Sequence, residues 1–111
     1  MFKKIGKSNL EICPIGQGTL FGRTSAKIDQ GVINKKIEIL KYGIEIGMNF
    51  IDTGEDYEDG LSEHLLSEVV KFNRNKVIIG SKFKPSNNSY EGVINSIEGT
   101  LKRINTDYID V

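Results

Sequence analysis

The residues best suited to chemistry stand at the ends of two short apolar segments. Residues 48–51 form one segment and are followed by Asp52, and residues 76–81 form the other and are followed by Lys82. Tyr57 lies between them in the sequence. A carboxylate, an ammonium and a phenol can form a proton donor with electrostatic support, because an adjacent ammonium favours the phenolate. A structural salt bridge beside a surface tyrosine explains the same residues equally well.

Both apolar segments lack polar alternation, which is typical of parallel strands that are covered by helices on both faces. Consecutive strands of such a sheet are expected to be neighbours, about 5 Å apart. The carboxyl end of the sheet is also where α/β folds keep their chemistry. We therefore expect Asp52 and Lys82 to lie close together there, with Tyr57 on the loop between them.

The rest of the chain alternates strand and helix patterns around these two strands. Strand segments are predicted over residues 2–5, 10–12, 15–20, 48–51, 76–81 and 106–111, with the first two forming a hairpin. Residues 21–33 read as a loop. Apolar residues at helical spacing predict helices from about Asn34 to Gly47, from Leu61 to Phe72, and over residues 90–104. This order favours a parallel sheet with right-handed crossovers, either open and doubly wound or part of a barrel.

The last predicted helix has the clearest apolar stripe. Residues at this spacing lie on one helix face, the usual mark of a helix that packs on a core. The stripe comprises Tyr90, Val93, Ile94, Ile97, Leu101 and Ile104. Asn88, followed three residues later by Glu91, resembles a capping pair at the start of this helix.

The composition limits the classes of function. The chain has 111 residues, and its 15 basic and 15 acidic residues cancel, so no whole-chain charge favours nucleic acid or a membrane surface. No window approaches the roughly 20 apolar residues of a membrane span, and residues 1–5 lack a signal-peptide pattern. The lone Cys13 excludes an internal disulfide framework and fits a reducing compartment. We expect a single cytoplasmic domain.

A glycine motif near the N-terminus has two interpretations. Gly16, Gly18 and Gly22 resemble a dinucleotide-binding fingerprint. The third glycine is one place too far along, however, and no helix is predicted to begin at this loop. Close packing of the backbone therefore explains the three glycines better.

The acidic loop after Asp52 and the single histidine also favour structural explanations. The loop lacks the order of residues that a calcium loop needs, so no metal site is expected. We interpret Glu55, Glu58 and Asp59 as solvated side chains. His64 lies within a predicted helix, away from the strand ends, and is interpreted as an exposed histidine.

These residues carry a resemblance to a known family. The run from Gly47 to Tyr57, GMNFIDTGEDY, resembles the first signature of the aldo-keto reductases, as do the residues that follow it, Ser62-Glu63 and Leu65-Leu66. The resemblance continues, in the same order along the chain, through Gly16-x-Gly18-Thr19, Ser81-Lys82 with Pro85, and the run from Ser96 to Asp110.

The resemblance implies a fold and an activity. It implies the N-terminal half of a (β/α)8 TIM barrel, with about four parallel strands, three helices and the hairpin closing its bottom. Residues 1–111 would be the N-terminal part of that barrel domain. The implied activity is NADPH-dependent reduction of an aldehyde or ketone. Tyr57 would be the proton donor, Lys82 would favour its ionisation, and Asp52 would pair with Lys82. Cofactor contacts are expected at Gly18, Thr19 and Asp52.

The chain also departs from the family pattern. Gly54 stands in place of the usual Ala, and Glu58 and Ser67 stand in place of usual glycines. The family's catalytic His and its main adenosine-phosphate contacts lie outside residues 1–111, in a fold of about 250 residues. We therefore expect the isolated chain to be inactive and to associate with itself or with a complementary C-terminal half. The alternatives are a non-catalytic remnant or interaction module and a small metal- or ligand-binding protein.

Overall fold

An antiparallel hairpin opens the chain, as predicted. The computed structural model describes residues 1–21 and 28–111. In it β1 (Lys3–Lys4) pairs with β2 (Glu11–Ile12). The side chain of Asn49 accepts a hydrogen bond from the backbone of Cys13 at 2.8 Å and donates one to the carbonyl of Glu11 at 2.9 Å. Asn49 therefore fixes the hairpin against the amino end of the central strand.

Three short parallel strands form the sheet that carries the candidate site. β4 (Phe50–Asp52) lies between β3 (Gln17–Gly18) and β5 (Ile78–Gly80). The register places Gly18 opposite Asp52, and Asp52 opposite Gly80. Ile51 and Ile79 are fully buried in the core under the helices, but Phe50 and Asp52, which alternate to the other face of β4, are only partly buried, so the predicted burial is confirmed for the helix side alone.

The C-terminal segment, predicted as a fourth strand, lies along the edge of β5 without forming a regular strand. The backbone N–H of Val111 donates to Ile79 O at 3.1 Å, and that of Ser81 donates to Val111 O at 3.1 Å, the pattern of parallel neighbours. The Asp110 carboxylate accepts bonds from the guanidinium of Arg74 at 2.7 Å and from the backbone of Ile79 at 2.9 Å. These contacts hold the segment in the position of the next strand.

The first helix begins earlier than the predicted Asn34. Helix α1 spans Gln30–Glu45, and the Asp29 carboxylate caps it by accepting a hydrogen bond from Val32 N at 3.0 Å. Part of the predicted loop 21–33 lies outside the described residues. After the helix, Gly47 adopts a left-handed backbone with φ +95°, which confirms the predicted C-terminal cap.

The second helix packs on the sheet and contacts both other helices. Helix α2 spans Leu61–Val70, and its buried apolar residues join Leu40, Ile51, Ile79 and Ile104 in one core. The inclusion of Phe72 in the apolar stripe was wrong. Phe72 lies beyond the end of the helix at Val70 and is 84% exposed.

The third helix, α3 (Tyr90–Ile104), corrects two predictions. Its N-terminal cap is Ser89, whose hydroxyl accepts from Gly92 N at 3.0 Å, and not Asn88. Of the predicted apolar stripe, Ile104 is buried but Val93, Ile94 and Ile97 are 37–40% exposed.

The buried face of α3 also carries polar residues, Ser96 and Thr100. Thr100 donates to the fully buried Glu63 carboxylate at 2.9 Å, and Ser96 accepts a hydrogen bond from the Asn87 amide at 2.9 Å. No helix in the described parts of the chain is long and apolar enough to cross a membrane.

Candidate active site

The structure brings together the three residues that the sequence singled out. The Lys82 ammonium donates hydrogen bonds to the Asp52 carboxylate and to the carbonyl of Thr53, both at 2.7 Å. Its nitrogen also lies 4.9 Å from the centre of the Tyr57 ring. The cation, the carboxylate and the phenol ring therefore form one group at the carboxyl edge of the parallel sheet.

The environment of Lys82 favours its charged form. Partial burial works to lower the pKa of Lys82, but the contacts with Asp52 and Tyr57 outweigh burial and raise that pKa above its usual value. Lys82 and Asp52 are each about half exposed, so the pair is open to small molecules from solvent. An ion pair this exposed contributes little to stability, roughly 0–1 kcal/mol.

A close contact with Gly54 sets the position of the Tyr57 ring. The backbone N–H of Tyr57 donates to Gly54 O at 3.1 Å, which closes a tight turn after β4. A Cβ atom on residue 54 would lie 3.0 Å from a carbon of the Tyr57 ring, closer than most real contacts of that kind. Gly54 therefore allows the ring to lie flat against the backbone beside Lys82.

Two residues with left-handed backbone geometry follow Tyr57. Glu58 has φ +47° and Asp59 has φ +52°, a region that costs an ordinary side chain about 1–2 kcal/mol. The Glu58 carboxylate accepts hydrogen bonds from the backbone of Phe21 at 3.0 Å and from the hydroxyl of Ser62. The prediction that Glu58 is simply solvated was wrong, because its carboxylate ties this turn to the end of β3. Asp59 is exposed, as predicted.

Glu55 is also not the solvated side chain that was predicted. Its backbone N–H donates to Lys82 O at 2.9 Å, and its carboxylate accepts from Lys84 N at 2.8 Å and from the Asn87 amide at 3.2 Å. Burial works to raise the pKa of Glu55, but hydrogen bonds from Lys84, Ser96 and Asn87 outweigh burial and lower that pKa. Glu55 thus holds the loop that follows β5 against the loop that follows β4.

The residues predicted to contact a cofactor occupy the same edge. Gly18 is exposed opposite Asp52, and a Cβ atom placed on it would meet no atom within 4 Å. Gly18 therefore borders open space beside the Asp52 carboxylate. Thr19 is fully buried, and its hydroxyl donates to the hydroxyl of Thr53 at 2.9 Å. Thr19 therefore supports the strand ends from below.

The glycine motif has more than one role. A Cβ atom on Gly16 would lie 2.8 Å from the Phe50 ring, so close packing explains that glycine as predicted. Gly18 instead borders open space, and Gly22 lies outside the described residues. His64 is exposed on α2, as predicted, and residues 1–21 and 28–111 hold no group of three or more potential metal ligands.

The sequence did not lead us to predict a buried polar cluster, which lies below the strand ends and is centred on Glu63. Glu63 is fully buried, and its carboxylate accepts from Ser81 Oγ at 2.7 Å, Thr100 Oγ1 at 2.9 Å and Arg103 Nε at 2.7 Å. A signal was available, because Glu63 stands three residues before Leu66 on the apolar face of α2. A charge on such a face needs buried partners.

The glycines around Arg103 explain how that side chain reaches Glu63. A Cβ atom on Gly60 or on Gly99 would lie 2.9 Å from an atom of the Arg103 side chain. The guanidinium therefore passes through space that only glycine leaves open. The cluster links α2, β5 and α3 into one unit.

Comparisons with known proteins agree with this geometry. Residues 14–111 match the model of the aldo/keto reductase family. Methylglyoxal reductase YeaE of Escherichia coli (strain K12) is 37% identical over 99 residues, which are 87% of this chain and 33% of that protein.

Solved structures give the same result. The thermostable aldo-keto reductase Tm1743, in complex with epalrestat, superposes with a TM-score of 0.86 at 34% identity, covering 98% of this chain and 40% of that one. An aldo/keto reductase from Klebsiella pneumoniae, in complex with NADP and acetate, gives a TM-score of 0.81 at 28% identity, covering 90% and 34%.

The chain thus spans about a third to two fifths of the length of these relatives. Its α/β fold is confirmed as part of a (β/α)8 TIM barrel, with the three predicted helices and with three regular parallel strands of the roughly four predicted. This 111-residue chain belongs to the aldo-keto reductase family.

Proposed function

We propose that this chain is the N-terminal part of the barrel domain of a carbonyl reductase that uses NADPH to reduce an aldehyde or ketone. The observation that carries the proposal is the contact of Lys82 with Asp52 at 2.7 Å, beside the ring of Tyr57. The group lies at the carboxyl edge of a parallel sheet, where barrel enzymes keep their active sites.

Each member of the group has a role in the proposed reaction. NADPH, when bound, supplies the hydride that adds to the carbonyl carbon. Tyr57 donates its phenolic proton to the carbonyl oxygen, so the carbonyl becomes an alcohol and the tyrosine becomes a phenolate. The Lys82 ammonium stabilises that phenolate, and Asp52 holds the ammonium in place. Water returns a proton to Tyr57 before the next turnover.

The cofactor would bind at the open end of β3 and β4. Gly18 leaves space beside Asp52, and Thr19 keeps these two strand ends together through its hydroxyl bond to Thr53. On that basis we assign Gly18 and Asp52 to this part of the cofactor site, and we assign the fully buried Thr19 to its support and not to the predicted contact. The lone Cys13 favours a reducing, cytoplasmic setting.

Activity in this proposal requires the remaining strands of the barrel, in the same polypeptide or in a second one. The outer edge of the C-terminal segment beside β5 and the exposed apolar face of α3, with Val93, Ile94 and Ile97, are where those elements would pack. Unpaired strand edges and large apolar faces associate with other chains. Self-association is therefore the expected behaviour of the chain when the rest of the barrel is withheld.

The proposal is tested by NADPH consumption with a panel of aldehydes and ketones, using the protein with its complete barrel. Tyr57→Phe is expected to lower turnover by about 10²–10⁴-fold, the usual contribution of a positioned proton donor. Tyr90→Phe is the matched control, because Tyr90 is an exposed residue of α3, and it should leave turnover unchanged.

A fully active Tyr57→Phe variant would contradict the assignment. If the unaltered protein binds its complementary half but reduces no carbonyl, the alternative of a non-catalytic interaction module is favoured instead.

A further inference from the structure

Two hydroxyl groups donate to the same oxygen atom of the buried Glu63 carboxylate. Ser81 Oγ lies 2.7 Å and Thr100 Oγ1 lies 2.9 Å from Oε1. Ser81 follows β5 and immediately precedes Lys82 in the sequence, whereas Thr100 belongs to α3. One carboxylate therefore has two similar neutral partners, of which only one adjoins the candidate site.

Glu63 is a rigid anchor. Its side chain is fully buried, and Arg103 Nε holds the second carboxylate oxygen at 2.7 Å. A buried carboxylate with a paired cation and filled hydrogen-bond positions has little freedom to move. Whatever bonds to it is fixed relative to α2 and α3.

The backbone at the end of β5 needs such an anchor. The Lys82 ammonium makes two contacts of 2.7 Å, to Asp52 and to Thr53 O, both on the neighbouring chain segment. A long, flexible lysine side chain keeps two such contacts more readily when the backbone from which it extends is fixed. Glu55 N holds Lys82 O from above at 2.9 Å, and Ser81 holds the same backbone from below.

We propose that Glu63 is a positioning residue for Lys82 and acts through the hydroxyl of Ser81 at the end of β5. The catalytic role of Lys82 rests on the function proposed above, whereas the positioning of its side chain does not. Glu63 itself touches neither Lys82 nor any group that would react.

The experiment compares Ser81→Ala with Thr100→Val. Each variant removes one hydroxyl donor from the same Glu63 oxygen, so both should lose a similar amount of stability in urea unfolding. The readout is an NMR titration of the Lys82 ε-ammonium in the full chain, assigned with Lys82→Met. Burial lowers the pKa of Lys82 and its contacts with Asp52 and Tyr57 raise it, so loosened contacts should lower it.

The expected result is a lower pKa of Lys82 in Ser81→Ala and an unchanged pKa in Thr100→Val. Ser81→Thr, which keeps the hydroxyl, should restore the original titration. In the active protein, Ser81→Ala should lower kcat about tenfold or more with KM unchanged, since misplacement of about 1 Å can cost 10²-fold. If Ser81→Ala does not fold, Ser81→Cys, a weaker donor of similar shape, should show a smaller shift in the same direction.

Equal shifts in Ser81→Ala and Thr100→Val, or no shift in a folded Ser81→Ala or Ser81→Cys variant, would overturn the positioning role. The two proposals fail separately. If the pKa of Lys82 shifts in Ser81→Ala but the protein reduces no carbonyl, the positioning role is kept and the reductase function is removed. Carbonyl reduction whose rate does not change in Ser81→Ala removes the positioning role and keeps the reductase function.

Discussion

Two ion pairs with the same 2.7 Å contact serve different purposes in this fold. In the Lys82–Asp52 pair the side chains are 50% and 46% exposed, and in the Arg103–Glu63 pair they are 31% and 0% exposed. Water weakens the first pair and leaves it accessible, so it can act on a bound molecule. The second pair is shielded, so losing one partner strands a charge in the interior. Equal distances therefore carry unequal energies.

The two pairs are also connected in space. Ser81 bonds to Glu63 and precedes Lys82, so the buried pair lies directly below the exposed one. The buried Arg103–Glu63 cluster is therefore expected to stabilise the fold, and the exposed Lys82–Asp52 pair is expected to act on a bound molecule. We expect substitutions at the buried cluster to affect stability more than substitutions near the exposed pair.

The largest effect is expected at the buried pair. Arg103→Met leaves the fully buried Glu63 carboxylate without a cation and should lower the free energy of unfolding by about 3–5 kcal/mol. Urea denaturation monitored by circular dichroism measures this loss. The neighbouring Lys102→Met is the control, and because Lys102 is exposed the change should stay within about 0.5 kcal/mol. Equal effects in the two variants would show that the buried pair adds no stability.

A smaller effect is expected at the turn after Tyr57. Glu58→Gly relieves a left-handed backbone but removes carboxylate bonds to Phe21 and Ser62, so we expect a net loss of about 1 kcal/mol. Asp59→Gly relieves a similar strain at an exposed side chain and should be neutral or stabilising by up to about 1 kcal/mol. Thermal unfolding of both variants gives the comparison. A gain in stability from Glu58→Gly would mean that its carboxylate bonds are not needed.

Acid should weaken the loop contacts of Glu55. Because the folded-state pKa of Glu55 is lowered, its contribution is complete above its ordinary pKa of 4.5 and is lost as the pH falls through the lower folded value. Unfolding free energies measured between pH 7 and pH 3 should therefore fall more steeply in the unaltered chain than in Glu55→Gln. Parallel pH profiles would remove Glu55 from the contacts that hold the loop after β5.

The proximity of Asp52 and Lys82 was predictable from the sequence, and the buried cluster around Glu63 was not. Asp52 and Lys82 end short, mostly apolar runs, and parallel neighbours place such ends together. Glu55 and Glu58 resemble solvent-exposed residues because local sequence does not show which backbone N–H groups from distant segments need acceptors.

The predicted burial of the apolar stripe of α3 was wrong for a related reason. Its apolar stripe predicts burial of Val93 and Ile97, but both are partly exposed on the face where the proposed function places the rest of the barrel, while Thr100 of the same helix donates to the buried Glu63. Apolar spacing measures the hydrophobic face alone and does not register a polar partner on another helix. The resemblance to a barrel family supplied the overall fold, which periodicity alone left open.

Lys82→Met tests the central claim most directly, because the claim separates chemistry from stability. In the protein with its complete barrel, turnover of the aldehyde or ketone should fall by at least about 10²-fold. The free energy of unfolding should change by less than about 1 kcal/mol in the same variant, since the lost pair is half exposed. Retained turnover, or a loss of stability as large as that of Arg103→Met, would contradict the account.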